Sequence, residues 1–296
     1  MVDYIRNLCF CGGPTQDDYS ELNAWFKKIH YFRCDGGIDG TSLKLLRDAF
    51  GPAMGAETMQ GRSLLKRRGY AGDFEIIDDI YRQTISSNES LKRWDEYFHS
   101  QAAAKAVRNR KTYFISLLES LLRNHDSIRP LRILNVASGP CRDLAEFLSK
   151  HEDPAINFTC IDIDPDAIAF AKRLCAPWKD KIAFVQGNAL RLRLPDEFDL
   201  VWSAGLFDYF DDRGFVLLLK RLLTFADKHH SQIVIGNFTE PNPSISYQAF
   251  GDWLLTHRRQ DLLKELASRC RIASDQIEID SEPEGVNLFL RIRQTA

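Results

Sequence analysis

With 296 residues, 44% of them hydrophobic and 27% charged, the chain has the apolar mass to bury one large core or two modest ones. A formal net charge of −2 gives no basic footprint and argues against nucleic acid as a partner. Seven cysteines, an odd count at irregular spacings, point to reduced thiols, and with no apolar run of membrane-spanning length a cytoplasmic protein without a transmembrane segment is expected.

Residues 1–125 read as helices with irregular joints, an N-terminal helical cap or substrate region. Apolar spacing predicts one helix over 17–32 and another over 41–50, the second started by Thr41 or Ser42 as its cap. Cys9 and Cys11 have no second pair at zinc-ligand spacing, and Asp35 and Asp39 lack the oxygen set of a calcium loop, so no metal is expected. Gly69-Tyr70-Ala71-Gly72-Asp73-Phe74-Glu75 sets a tyrosine and an acid around two glycines, ahead of an apolar helix over 76–81. Asp73 reads structurally as the N-cap of that helix; with Tyr70 it also reads as a substrate contact. A long helix opens at Ala102 and runs to about Leu122. Its Arg108 and Arg110 are two residues apart and cannot share a face.

From residue 126 onward strands and helices alternate. Residues 131–137 form an apolar run, the mark of a buried strand, which Ser138-Gly139-Pro140-Cys141 breaks. Helical spacing follows over 142–148, and 158–162 is a second strand that ends on Asp162. Strand, glycine turn, helix, strand and an acid about 20 residues past the glycine form the βαβ layout of a nucleotide site. The turn lets backbone approach a ligand, and the acid grips ribose hydroxyls. A dinucleotide fingerprint wants glycines where this chain has Ala137, Gly139 and Arg142, and Asp143 in the first helical turn would repel a diphosphate. S-adenosyl-L-methionine (SAM) has no phosphate and carries a sulfonium cation, so it suits this turn better than NAD.

Further helices are predicted over 165–174, 212–225 and, as one long element, 247–269. Further strands are predicted over 182–186, 198–202, 232–236, 276–279 and 287–293. Five βα units and a terminal β pair predict an α/β fold. It is a doubly wound, mostly parallel seven-stranded, Rossmann-like sheet with ligand sites at the C-terminal ends of its strands. Two domains are expected, 1–125 and 126–296.

These landmarks resemble the class I SAM-dependent methyltransferases over about residues 126–296. Asn135-Val136-Ala137-Ser138-Gly139-Pro140-Cys141 is similar to that family's first motif, an acid followed by alternating glycines. Here Asn135 stands for the acid, Ala137 for the first glycine and Cys141 for the third. The resemblance implies SAM as cofactor. Asp162, with Ile163 beside it, matches the ribose-binding acid, Asn188 and Ala189 the adenine-side motif, and Ser203, Ala204 and Gly205 the end of the fourth strand. One arginine of the long helix is expected at the methionine carboxylate. Arg108 is the candidate, and whether it or Arg110 faces the site is left open. The 69–75 stretch, Ala106-Val107-Arg108-Asn109-Arg110, the 203–209 stretch, Gly236-Asn237-Phe238 and Asn242-Pro243-Ser244 resemble a narrower bacterial group. Members of that group make 3-hydroxypalmitic acid methyl ester, an extracellular-factor quorum-sensing signal. This narrower resemblance implies methylation of a fatty-acid carboxylate.

Methyl transfer from a sulfonium is an in-line displacement, so an enzyme's main work is alignment and exclusion of water. A carboxylate with a pKa of about 4–5 is ionised at neutral pH and needs no general base, whereas phenols, alcohols and amines more often do. No Asn/Asp-Pro-Pro-aromatic run follows the fourth strand, which lowers the nucleobase and amide-nitrogen readings. Substrate-side candidates are Phe207, Asp208, Tyr209 and Asn237, with Tyr70 and Asp73 from the cap. Tyr209 and Asn237, at strand ends, are taken as catalytic; Phe207, also a substrate-side candidate, reads more readily as a core aromatic, since buried aromatics are the default. The leading function is O-methylation of a small-molecule or lipid-like carboxylate. Methylation of a peptide, protein or small-molecule nitrogen and a non-catalytic SAM-fold binding protein are the alternatives, and a homodimer is left open.

Overall fold

Aromatic rings and a parallel sheet organise different parts of this chain. A computed structural model describes residues 1–125, 128–194 and 197–295. The chain divides into two units, Met1–Lys105 with Asn242–Leu254, and Ala106–Pro241 with Leu255–Ala296. The expected boundary at 125/126 falls against Asp126, which lies outside the described residues.

The first unit is helical: α1 (Val2–Phe10), α2 (Tyr19–Cys34), α3 (Gly40–Asp48), α4 (Met59–Leu65), α5 (Phe74–Arg82) and α6 (Lys92–Ser100), followed by the first turn of α7 (Ala102–Arg123). Side-chain caps start three of these helices. Asp39, not the expected Thr41 or Ser42, accepts the Ser42 N–H for α3, Thr58 accepts that of Gly61 for α4, and Asp73 accepts those of Glu75 and Ile76 for α5. Segment 242–254 completes the core of this unit. The Tyr247 ring stands 4.9 Å from that of Phe26, and the Phe250 ring lies 5.1 Å from Phe26 and 5.5 Å from Phe50. Burying such rings contributes about 1.5–3 kcal/mol each.

The second unit begins inside α7 and continues through β1 (Leu131–Val136), α8 (Arg142–Lys150), β2 (Ile156–Asp162), α9 (Pro165–Leu174), β3 (Ile182–Gln186), β4 (Leu200–Ser203), α10 (Asp212–Leu223) and β5 (His230–Phe238). The helix expected over 247–269 is two helices, α11 (Ile245–Phe250) and α12 (Gln260–Ser268). Asp252, at φ 57, takes the left-handed conformation just past α11, and α11 belongs to the first unit. Apolar spacing across 247–269 does not register that break. Strands β6 (Ile277–Ser281) and β7 (Asn287–Thr295) complete a seven-stranded sheet among the described residues, in the order β3-β2-β1-β4-β5-β7-β6. Strands β1 to β5 pair in parallel, whereas β7 runs antiparallel to both β5 and β6, so the mostly parallel sheet is mixed at one edge.

Both faces of the sheet are covered. Leu134 and Val136 pack with Phe215, Leu218 and Leu222 of α10, and Ile133 packs with Phe114 and Leu118 of α7 and Leu144 of α8. Alternation along β1 therefore places Asn135 on the α7 side. The strand order reverses between β1 and β4, and the C-terminal ends of strands at such a point diverge into a crevice.

Candidate functional site

The turn after β1 is shaped by its own backbone. Ala137, Gly139 and Cys141 lie at φ 55, 55 and 53, three alternate residues in the left-handed region. A glycine enters that region freely, while each residue with a Cβ is held there at a cost of about 1–2 kcal/mol. The turn thus keeps a glycine-rich geometry at two positions that have lost the glycine. It is tied to β2, since Ser138 donates its N–H to the Ile161 carbonyl at 3.0 Å and Gly139 donates to Asp162 Oδ2 at 2.8 Å. Asp162 Oδ1 accepts from the Asp164 N–H at 3.0 Å. Burial pushes the Asp162 carboxyl up, and these backbone donors pull it back.

Asp162 lies on a cavity of about 130 Å³ whose other lining residues include Ala137, Ile163, Asn188, Ala189, Leu206 and Phe210. Sequence reasoning named the first four of these and missed Leu206 and Phe210. Asn188 shapes its own loop, accepting the Leu190 N–H on its side-chain oxygen at 2.9 Å.

Beside the cavity, polar groups gather on the α7 side. Asn135 Nδ2 and Ser138 Oγ are buried without a hydrogen-bond partner among the described residues. Buried donors of this kind are costly unless a ligand or water satisfies them. Arg110 is buried, and a Cβ on Gly205 would come within 2.9 Å of its Nη1. That proximity places Arg110, rather than Arg108, just past the end of β4. Arg110 sits four residues before Phe114 on the helix face turned to the sheet. Arg108, expected at the cofactor, is half-buried and feels Glu284 instead. Near Arg110, burial pushes the Asp143 carboxyl up to about 6 and that of Asp208 up to about 7; the guanidinium opposes both shifts.

The turn after β4 is held from outside. Ser203 fastens β4 to β1 by donating its hydroxyl to the Val136 carbonyl at 3.1 Å. Ala204 and Gly205 are half-buried beyond it, and a Cβ on Gly236 would meet the Ala204 oxygen at 2.3 Å, so β5 must have glycine there. Phe207 is fully buried, edge-on to Phe215 at 4.8 Å; it belongs to the core, the commoner of its two readings, and not to an acceptor wall. Asp208 accepts the Phe238 N–H at 2.7 Å, which joins the turn to the end of β5. Tyr209 is 44% exposed.

Asn237 is fully buried and committed on both sides of its amide. Its Nδ2 donates to the Phe238 and Thr256 carbonyls, and its Oδ1 accepts from Arg258 Nη1 at 2.9 Å. It is a strut in this structure, in place of the expected catalytic group. Arg258, which sequence reasoning missed, spreads its fork over the Phe207 carbonyl at 3.2 Å, the Phe210 carbonyl at 2.6 Å and Asp212 Oδ1 at 2.9 Å. Its sequence neighbourhood, His257-Arg258-Arg259, reads as solvated charge and carries no signal of this burial. In the first unit, Asp73 is a buried N-cap and Tyr70 is 39% exposed in the preceding turn.

Residues 133–226 match the family model described as a methyltransferase domain. Among solved structures the chain is similar to a Bordetella parapertussis protein described as a possible exported protein. The TM-score is 0.67 at 19% identity, covering 95% of this chain and 96% of that one. It is also similar to magnesium protoporphyrin IX methyltransferase from Synechocystis with bound SAH, the demethylated form of SAM. Here the TM-score is 0.50 at 10% identity, covering 65% of this chain and 87% of that one. At these identities the two likenesses establish the fold. No curated protein matches the chain. The match places a methyltransferase domain over residues 133–226 of this chain. No described helix is long and apolar enough to cross a membrane.

Proposed function

We propose that the cavity floored by Asp162 is the cofactor site of a small-molecule O-methyltransferase. The observation that carries the reading is the placement of one buried carboxylate in a mostly apolar slot beside the β1–β4 reversal. The donor set fits the cofactor. Asp162 has lone pairs left for ribose hydroxyls, Ile163, Leu190 and Phe210 offer apolar surface to a purine, and Asn135, Ser138 and Arg110 supply donors for a carboxylate. SAM, when bound, supplies an electrophilic methyl group on a sulfonium. The protein's part is to orient the acceptor and keep water out.

The acceptor is a carboxylate of the 3-hydroxy fatty-acid type, the substrate implied by the narrower resemblance. A buried, fully bonded Asn237 and a buried Asp208 leave the turn after β4 short of a free base, and a carboxylate acceptor needs none. Tyr209 is exposed on that turn, on the acceptor side of the proposed site, and Tyr70 and Asp73 belong to the substrate region of the N-terminal cap. Calorimetry with SAH tests the cofactor site, and methyl transfer to a panel of 3-hydroxy fatty acids tests the acceptor. A transfer rate that stays flat above about pH 6 supports the carboxylate, and one that climbs about tenfold per pH unit between 6 and 8 excludes it.

A further inference from the structure

Arg258 has no place in a cofactor site by position. It follows β5 by twenty residues in the chain, its side chain is fully buried, and it faces the core rather than the cavity. Every polar end of its guanidinium nevertheless has a task. One nitrogen, Nη2, donates to the Phe210 carbonyl, and Nη1 donates to the Phe207 carbonyl and to Asn237 Oδ1. Nε pairs with Asp212 in the first turn of α10, and the guanidinium plane lies over the Phe215 ring at 4.8 Å. The backbone of the same segment repeats the grip, because Arg258 N–H donates to the Phe238 carbonyl at 2.9 Å and Thr256 N–H to the Asp208 carbonyl at 2.7 Å. The fork therefore brackets the 3₁₀ turn Phe207–Tyr209 at both of its ends. Leu206 and Phe210, which flank that turn, supply part of the apolar wall of the cavity.

We propose that Arg258 is a positioning residue for the cofactor: it sets Leu206 and Phe210 at the spacing the purine requires, through the carbonyls of the 207–210 turn. This rests on the reading of the cavity as the SAM site. Lysine in its place keeps one charge and loses the planar fork, so it can hold one of these oxygens but not bracket the turn.

The test is SAH affinity by calorimetry for the wild type, Arg258→Lys, Phe210→Ala and the double variant. Arg258→Lys is expected to weaken SAH about tenfold. Because the effect runs through the wall, the same change made in the Phe210→Ala background is expected to add little, about twofold or less. A purely structural arginine would shift the unfolding midpoint and leave SAH affinity unmoved, or would lower affinity by the same factor in both backgrounds. Either result overturns the proposal. Asp212→Asn alters a half-exposed partner and loosens the fork from its outer end. It is expected to weaken SAH about threefold and to speed amide exchange at Tyr209 and Phe210. Should Arg258→Lys not fold, unchanged exchange and affinity in Asp212→Asn overturn the proposal instead. A wild-type protein that binds no SAH would overturn the cavity assignment itself. Wild-type binding with no loss in Arg258→Lys would remove the positioning role alone.

Discussion

The two turns that border the cavity are built by opposite means. After β1 the chain bends on its own account, with Ala137, Gly139 and Cys141 in left-handed backbone. After β4 the residues flanking the turn take ordinary conformations, Leu206 at φ −82 and Phe210 at φ −106, and the bend is imposed by a guanidinium 48 residues further along. The first device keeps its cost local, as strain in a few residues. The second spreads it over a buried polar network, where each group depends on the others being in place. One turn should therefore respond to backbone substitutions, and the other to the removal of distant partners.

The largest expected effect falls where a single side chain serves turn and ligand together. Asp162→Ala removes the acceptor of the Gly139 N–H and, on the cofactor reading, both ribose contacts. SAH affinity is expected to fall about a hundredfold or more, from charged hydrogen bonds worth about 1.5–3 kcal/mol each. Calorimetry reads this directly, and a loss below about threefold would take Asp162 out of the site.

On the other turn, Asp208 makes the network sensitive to pH. Its folded value of about 7 lies above that of an unfolded carboxylate, and burial is the main cause. A group raised in this way stabilises the fold below the ordinary carboxylate range and loses that contribution as pH climbs through about 7. Asp143, raised to about 6, acts in the same direction. Urea unfolding at pH 5 and pH 7.5 should show stability falling toward the higher pH. Asp208→Asn should flatten part of that fall, by about 1–3 kcal/mol. An equal slope in wild type and variant would mean that Asp208 is ionised in the fold throughout.

A smaller effect sharpens the contrast at the β1 turn. Ala137 is exposed and left-handed, so Ala137→Gly should stabilise the protein by about 1 kcal/mol, and Gly139→Ala should destabilise it by about 1–2 kcal/mol. Urea midpoints that move in the same direction for both substitutions would refute the strain account. The smallest effect on the cofactor is expected from Tyr209→Phe. Its SAH affinity should stay within about twofold, with any change confined to the acceptor's KM.

How much of this was legible in the sequence follows from the same contrast. Local chain geometry leaves marks at fixed spacing. Leu131–Val136, Gly139, Asp162 and the Asn188-Ala189 pair could be read in order, and the sheet that carries them followed from alternating strand and helix patterns. Ala137 and Cys141 looked like losses from a glycine motif because residue type was visible and φ was not. The choice between Arg108 and Arg110 needed the rotation of α7 against the sheet, and a pair two residues apart does not supply that. Asn237 drew attention by standing at a strand end, but its amide turned out to be consumed by Phe238, Thr256 and Arg258. Arg258 itself left no trace, because a contact across tens of residues has no periodicity.

Segment 242–254 gives the molecule an order of assembly. A ribosome releases α1 to α6 early, with Phe26 and Phe50 already made, while the rings that close around them, Tyr247 and Phe250, emerge only after β1 to β5 have been translated. The unit that is begun first is thus completed only after most of the second has been made. Through most of translation it holds uncovered aromatic surface, the kind that chaperones bind and that nucleates aggregation. A ribosome stalled before residue 245 should carry a nascent chain that is protease-sensitive in its first hundred residues or so, and release of the full-length chain should abolish that sensitivity.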